Sequence, residues 1–321
     1  MAESLIEKWD HFKYRFKYRY GRSINLKSPV DVSLELSSQC NMKCKYCYHA
    51  DQDHLPFTKG FMDYFIGSRI IYQAHDLGVP ALKFNWKGES TLNPQFYNLT
   101  KLARDLAHGP VFIDRLTNSN FKFQTSKDWI FEGLCNQTKV KVSYDSFTKS
   151  VFETQRAGGD HDLTTRNIDT FYNWPSRKKT QLVIQAVRTS LNKDEDIAHM
   201  AKKRWPDATI SIRDMVAGRV DKDLSDLENR SRDTSERQSC LQAHVRVIFN
   251  WKGDAYPCCP DIGEKLKLGS IQKDSLKEIF NGAIAKRLRK NLKNKSQFKS
   301  DPCMNCSSFE TFKGYKPAWN S

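Results

Sequence analysis

Three cysteines stand in the run Cys40-Asn41-Met42-Lys43-Cys44-Lys45-Tyr46-Cys47, a C-x3-C-x2-C spacing. Thiolates this close can hold an iron–sulfur cluster, which usually takes four. Three thiolates leave one iron open, and an open iron can bind a small molecule through an amine and a carboxylate. A zinc site short of one ligand, or a group of buried thiols, would use the same residues. Of the nine cysteines, five more (Cys240, Cys258, Cys259, Cys303 and Cys306) fall in the last third of the chain. Only Cys135 is isolated, on a helix-like stretch, where a cysteine most often packs as a small hydrophobe. Without an apolar N-terminal segment to direct export, this density points to metal or redox chemistry and away from disulfides.

The elements that must position these thiols follow from periodicity. Val32–Leu36 alternates as a strand and runs directly into the cysteine loop. Helix-like and strand-like segments then alternate: a helix over 61–77, a strand over 81–85, a helix over 94–107, a strand over 111–117, and a helix near 127–134. Strands over 140–144, 182–187 and 209–213 follow, with helices over 165–172 and 194–204. Six βα units in order predict an α/β fold with a parallel sheet. Curled, that sheet is an open barrel with its site at the C-terminal strand ends. Residues 216–239 are polar and charge-mixed and read as a linker. After them come a β-hairpin turning at Gly253-Asp254 and a basic helix over 275–289. The first 22 residues read as an amphipathic helix. Trp9, Phe12, Phe16 and Tyr20 are expected to face the core, and Tyr14, Arg15, Tyr18 and Arg22 to face outward.

With the cysteine loop after a first strand and Tyr46 before its last cysteine, the chain resembles the radical S-adenosylmethionine (SAM) superfamily over residues 30–213. The resemblance implies a partial (β/α)6 barrel in which Cys40, Cys44 and Cys47 hold a [4Fe–4S] cluster that cleaves SAM reductively to a 5′-deoxyadenosyl radical. Lys87-Gly88-Glu89-Ser90 is similar to the family's Gly-Gly-Glu-Pro motif, which receives the SAM amino group; Lys87 and Ser90 depart from it. Thr117-Asn118-Ser119 resembles a Thr-Asn-Gly segment. Ser143-Tyr144-Asp145 resembles a Ser-x-Asp segment at the SAM ribose and carboxylate. The implied SAM pocket is therefore Tyr46, Gly88, Glu89, Ser90, Asn118, Ser143 and Asp145, with Gln185 and Arg188 as further candidates.

The later cysteines resemble the family's SPASM/twitch extension, together with Gly253-Asp254-Ala255-Tyr256-Pro257-Cys258 and Ser275-Leu276-Lys277-Glu278-Ile279. That implies one auxiliary [4Fe–4S] cluster on Cys240, Cys258, Cys303 and Cys306, with Cys259 as an alternative to Cys258. A structural zinc site could use the same four thiolates. The implied organisation is a basic helix over 1–29, the barrel over 30–215, the linker over 216–239 and a twitch-like β-hairpin and helix module over 240–321.

A net charge of +15 favours a polyanionic partner. Cations interleave with aromatics in Lys13-Tyr14-Arg15-Phe16-Lys17-Tyr18-Arg19, and a basic tract runs from Lys286. Both suit nucleic acid, so a nucleotide or a nucleic-acid base is the leading substrate expectation. A peptide or protein and a sugar-alcohol-like small molecule are the alternatives. The stretch before the first strand is too short for a leader-peptide-binding domain. A non-enzymatic electron carrier would need the cysteines but not the Gly-Glu and Ser-x-Asp segments. A flavodoxin or ferredoxin is the implied reductant. No apolar run is long enough to cross a membrane, so a cytoplasmic protein without a membrane partner is expected.

Overall fold

The computed structural model describes residues 5–214, 240–299, 301–304 and 306. The expected linker over 216–239 lies outside the described residues.

Six parallel strands carry the fold: β1 (Asp31–Leu34), β2 (Ala81–Lys83), β3 (Asp114–Ser119), β4 (Lys139–Ser143), β5 (Gln181–Arg188) and β6 (Thr209–Asp214). Helices α2 (Tyr64–Asp76), α3 (Phe96–Asp105), α4 (Asp128–Cys135), α6 (His161–Tyr172) and α7 (Ile197–Arg204) alternate with them. Because side chains alternate along a strand, Val32, Leu34, Leu82, Val140, Val142, Leu182 and Ile184 all point to one face, where they bury completely or nearly so with Phe96, Phe131 and Phe171 from the helices. Residues of opposite parity (Ser33, Lys83, Asn118, Lys141, Ser143, Gln185) line the other, inner face.

The observed order is β6-β5-β4-β3-β2-β1-β7-β8-β9. β7 (Arg246–Phe249), preceded by the short helix α8 (Gln242–Val245), lies parallel to β1, with Val32 opposite Val247. β8 (Asp254–Tyr256) and β9 (Gly269–Ser270) then run antiparallel. Gly253 takes φ 82° in the β7–β8 turn, a conformation that side chains resist. The hairpin is thus an extension of the barrel sheet, a continuity that sequence does not announce.

Several boundaries differ from expectation. Val111 and Phe112 belong to a turn, with Phe112 at φ 52°, so β3 begins only at Asp114. A short helix, α5 (Lys149–Gln155), was not expected. The basic helix is two: α9 (Leu276–Asn281), opened by a Ser275/Glu278 capping box, and α10 (Ala283–Lys293), separated where Gly282 turns extended at ψ 167°.

The first helix, α1 (Leu5–Tyr20), faces opposite to the expectation. Tyr14 and Asp10 are the buried residues, and Trp9, Phe12, Phe16 and Tyr20 are exposed. The Tyr14 hydroxyl donates to Asp114 Oδ2 at 3.3 Å, and the Tyr18 hydroxyl accepts from Gln242 and Arg246, each at 3.4 Å. The Tyr14 ring packs in a small apolar cluster with Val30, Ala81 and Val245, with Tyr18 against it, while the two hydroxyls find polar partners on the barrel.

Candidate functional site

The cysteine loop leaves the end of β1 and is pinned from outside. Lys43 N donates to Ala157 O at 2.7 Å and Lys45 N to Gln155 O at 3.0 Å. Asn41 Nδ2 donates to Lys122 O at 2.6 Å, and Lys122 Nζ to Asn41 O at 3.2 Å. The loop therefore folds around Cys40, Cys44 and Cys47 as one group. Asn120 Nδ2 lies 4.0 Å from Cys40 Sγ, and Arg156 Nη1 lies 3.8 Å from Cys44 Sγ. Both are N–H groups aimed at sulfur, the arrangement that stabilises thiolate charge.

As bare thiols the three resist ionisation. Burial, with Glu89 next, pushes Cys40 up to about 12, and burial pushes Cys44 up to about 11 against the nearby Arg156. Binding to iron must therefore displace protons, because the cluster ligand is the thiolate. Among the described residues no three His, Cys, Asp or Glu side chains close to the spacing of a single bound metal ion.

The segments expected to form the SAM pocket lie at neighbouring strand ends but play different parts. Gly88 packs directly under the cysteine loop: a Cβ there would sit 2.3 Å from Gln39 O and 2.6 Å from Ser37 O. Glu89 N donates to Gln39 O at 2.8 Å, joining the two loops. The buried Glu89 carboxylate accepts from Asn120 N (2.7 Å), Thr91 Oγ1 (2.7 Å) and Thr91 N (3.1 Å); burial nevertheless raises its pKa. An approaching ammonium would relieve that penalty. Ser90 is structural here, its hydroxyl donating to Phe84 O at 2.6 Å. Asn118 Oδ1 is buried and has no hydrogen-bond partner, as are Thr117 Oγ1 and Asn85 Oδ1. These are unmet acceptors on the ends of β2 and β3. Ser143 and Gln185 sit opposite each other on β4 and β5, half-buried, without a side-chain hydrogen bond among the described residues.

Three of the expected pocket residues, Tyr46, Asp145 and Arg188, are bonded to protein groups. Asp145 is completely buried; its carboxylate accepts from Tyr46 Oη, from Arg156 Nη2 at 3.0 Å and from Val187 N at 2.9 Å. Tyr46 and Asp145 thus brace the cysteine loop against β4 and β5. Arg188 Nη1 donates to the carbonyls of Asn192 (2.8 Å), Lys193 (3.1 Å) and Glu195 (3.1 Å), closing the loop after β5. Sequence reasoning did not single out Asn120 and Arg156. Both lie just past recognised segments, and neither carries a motif.

In the C-terminal region Cys240, Cys258, Cys303 and Cys306 come together. Burial pushes Cys240 up to about 11, with Cys306 adding to it; burial pushes Cys303 up to about 12, with Cys240 and Cys306 adding. Cys258 is raised well above its ordinary value by burial and by Cys240. Cys259 is exposed, its sulfur 4.0 Å from Arg246 Nη1 and its carbonyl accepting from Trp86 Nε1 at 3.0 Å. Among the described thiols of this region the half-buried set is therefore the one with Cys258, and Cys259 is the exposed one.

The two regions meet at residues 86 and 87. Lys87 is buried; its ammonium pairs with Glu264 and lies 3.5 Å from Glu35, between the rings of Trp86 (4.1 Å) and Phe57 (4.5 Å). Its carbonyl receives His49 Nε2 at 3.1 Å, directly after the cysteine loop.

Comparison with known proteins finds relatives by domain, sequence and fold. Residues 240–307 match the SPASM family, an iron–sulfur cluster-binding domain. A S-adenosylmethionine-dependent nucleotide dehydratase of Flammeovirga pacifica is 26% identical over 205 residues, 61% of this chain and 67% of that protein. The structure of BtrN in complex with AdoMet and 2-DOIA superposes with a TM-score of 0.56 at 20% identity, over 86% of this chain and 92% of that one. Streptococcus suis SuiB bound to S-adenosylmethionine gives 0.63 at 17% identity, over 93% and 75%.

Proposed function

We propose, since this chain is a radical SAM enzyme with a C-terminal SPASM/twitch-like iron–sulfur domain, that it removes hydrogen from an anionic, nucleotide-class substrate held on the inner face of the barrel. Its cofactors are a [4Fe–4S] cluster, SAM and an auxiliary cluster. When bound and reduced, they supply a carbon radical able to take hydrogen from an unactivated C–H bond. In this reading Cys40, Cys44 and Cys47 ligate the radical cluster, and Cys240, Cys258, Cys303 and Cys306 the auxiliary one. Asn120 and Arg156 direct N–H groups at the first set. Glu89 and the unmet Asn118 acceptor face SAM, while Asp145 and Tyr46 hold the loop in place. A flavodoxin or ferredoxin supplies electrons.

One observation carries the substrate class. Lys139, Lys141 and Arg213 stand on the inner face of β4 and β6, and none has an acidic partner within ion-pair distance among the described residues. Lys83 and Arg246, by contrast, are both tied to Asp31. Burial, then Arg213, Lys83 and Lys139, lowers Lys141 to about 7. A phosphate or carboxylate placed there would restore its charge. The relative named as a nucleotide dehydratase fits the same chemistry. Tyr14 is turned inward and Tyr18 is held by Gln242 and Arg246, so neither is free to stack on a base.

The test compares Lys141→Met with wild type on a panel of nucleotides, measuring SAM cleavage and substrate consumption separately. Substrate consumption should fall tenfold or more, on the order of one lost charged contact, while substrate-free SAM cleavage persists. Equal consumption by both proteins, or turnover only of uncharged compounds, would overturn the substrate class.

A further inference from the structure

Helix α1 divides into three longitudinal zones at about 100° per residue. Its inner face is fixed to the barrel: Tyr14 is 6% exposed and bonded to Asp114, and Tyr18 is held by Gln242 and Arg246. On the side opposite Tyr14 runs an apolar stripe: Leu5 is 85% exposed, Trp9 55%, Phe12 57%, Phe16 47% and Tyr20 44%. Lys13 and Lys17 project along one border of the stripe, and Lys8 and Arg19 along the other; all four are exposed. Lys13 lies 5.4 Å from the Trp9 ring and Arg19 5.9 Å from the Tyr20 ring, so the cations edge the apolar surface directly.

Fixed as it is, the helix cannot turn this stripe inward. So large a contiguous exposed apolar patch calls for an occupant. We infer that α1 lies in the surface of an anionic lipid bilayer, its aromatic stripe among the acyl-chain boundary and its flanking cations against acidic headgroups. The zone order of apolar centre and cationic borders is what a helix lying in that interface needs. The net charge of +15 on the whole chain acts in the same direction. At 16 residues the helix is about 24 Å long, shorter than a hydrocarbon core, and no described helix is long and apolar enough to cross a membrane. The helix therefore lies along the surface and does not span it.

Two other occupants fit less well. A second copy of the chain docking stripe to stripe would bring the cationic borders of one helix against those of the other. A nucleic-acid strand needs open ring faces, but Trp9 and Phe12 already stack on each other at 5.4 Å and 11°, and the most exposed residue of the stripe, Leu5, has no ring.

The experiment is vesicle flotation with the full-length, cluster-loaded protein. The probes are vesicles of equal parts phosphatidylglycerol and phosphatidylcholine, and vesicles of phosphatidylcholine alone. Wild type should float with the first, less with the second, and less with either as salt rises. Trp9→Ser/Phe12→Ser/Phe16→Ser changes only exposed side chains and should keep its melting temperature and SAM cleavage, yet partition at least about a hundredfold more weakly. Lys13→Glu/Lys17→Glu should lose the preference for the anionic vesicles. The inference is overturned if wild type does not float with anionic vesicles or if the triple variant floats as wild type does. Stripe-dependent dimerisation, or stripe-dependent binding of oligouridylate without vesicle binding, would likewise overturn it.

Discussion

The Lys87 ammonium pairs with the Glu264 carboxylate, joining the loop after β2 to the cysteine-bearing C-terminal region. The sequence places a lysine where the family resemblance has a glycine, and the structure gives that lysine a partner far along the chain. Glu264 is fixed in turn by Asn250 Nδ2 at 3.1 Å and Tyr256 Oη at 3.2 Å.

Removing the cation alone should be costly. Lys87→Met leaves Glu35 and Glu264 facing each other without a counter-charge, at a cost of about 3 kcal/mol. Denaturant unfolding of the purified protein measures it. Lys87→Met/Glu264→Gln should recover part of the loss. A single variant as stable as wild type would show that the pair does not hold the two regions together.

Glu35 should impose a pH dependence on stability. Burial raises its pKa from an ordinary 4.5 to about 7, against the pull of Lys87. The folded state holds this proton more tightly than the unfolded chain. Its contribution is therefore greatest below about pH 4.5, declines as pH rises to about 7 and is lost above that. The span is on the order of 3 kcal/mol. Glu35→Gln should flatten that part of the stability profile, and an unchanged slope would refute the assignment.

The two sets of cysteines should separate by iron content. Replacing Cys40, Cys44 and Cys47 with Ala should abolish SAM cleavage and leave about four irons. Cys258→Ala should deplete the remaining iron, and Cys259→Ala should not. Zinc in place of that iron, or iron loss on changing Cys259 alone, would revise the ligand set.

Glu89→Gln should weaken SAM binding between about tenfold and a hundredfold, the range for a hydrogen bond to a charged group. Iron content should remain at the wild-type level, since the side chain bonds Asn120 and Thr91 and no cysteine. Equilibrium binding by the anaerobic protein provides the measurement. Undiminished affinity would remove Glu89 from the pocket.

The parallel strands were legible in two ways: Lys139–Ser143 alternates cleanly between buried and half-buried residues, and Leu182-Val183-Ile184 is a short continuous apolar run of strand length. The cysteine loop was legible because spacing alone specifies it. The orientation of α1 was not. Helical periodicity reveals a stripe but not which side of the helix meets the protein, and here the side that docks is the amphipathic pair Tyr14 and Tyr18: their rings pack at Val30, Ala81 and Val245, and their hydroxyls bond Asp114, Gln242 and Arg246. The parts of Asp145 and Arg188 were hidden for a related reason. A carboxylate or guanidinium at a strand end reads as a ligand contact, and only coordinates reveal Arg156, Tyr46 and the loop carbonyls already bonded to them.

The parallel pairing of β7 beside β1 has a consequence for biosynthesis. β1 is among the earliest strands to leave the ribosome, and one of its edges stays unpaired until Arg246–Phe249 has been made. Throughout that interval the nascent chain carries a bare edge of Asp31–Leu34, an edge able to pair with a neighbouring chain. A ribosome stalled after β6 would thus release a chain prone to aggregate, while one that passes Phe249 can close that edge within its own sheet.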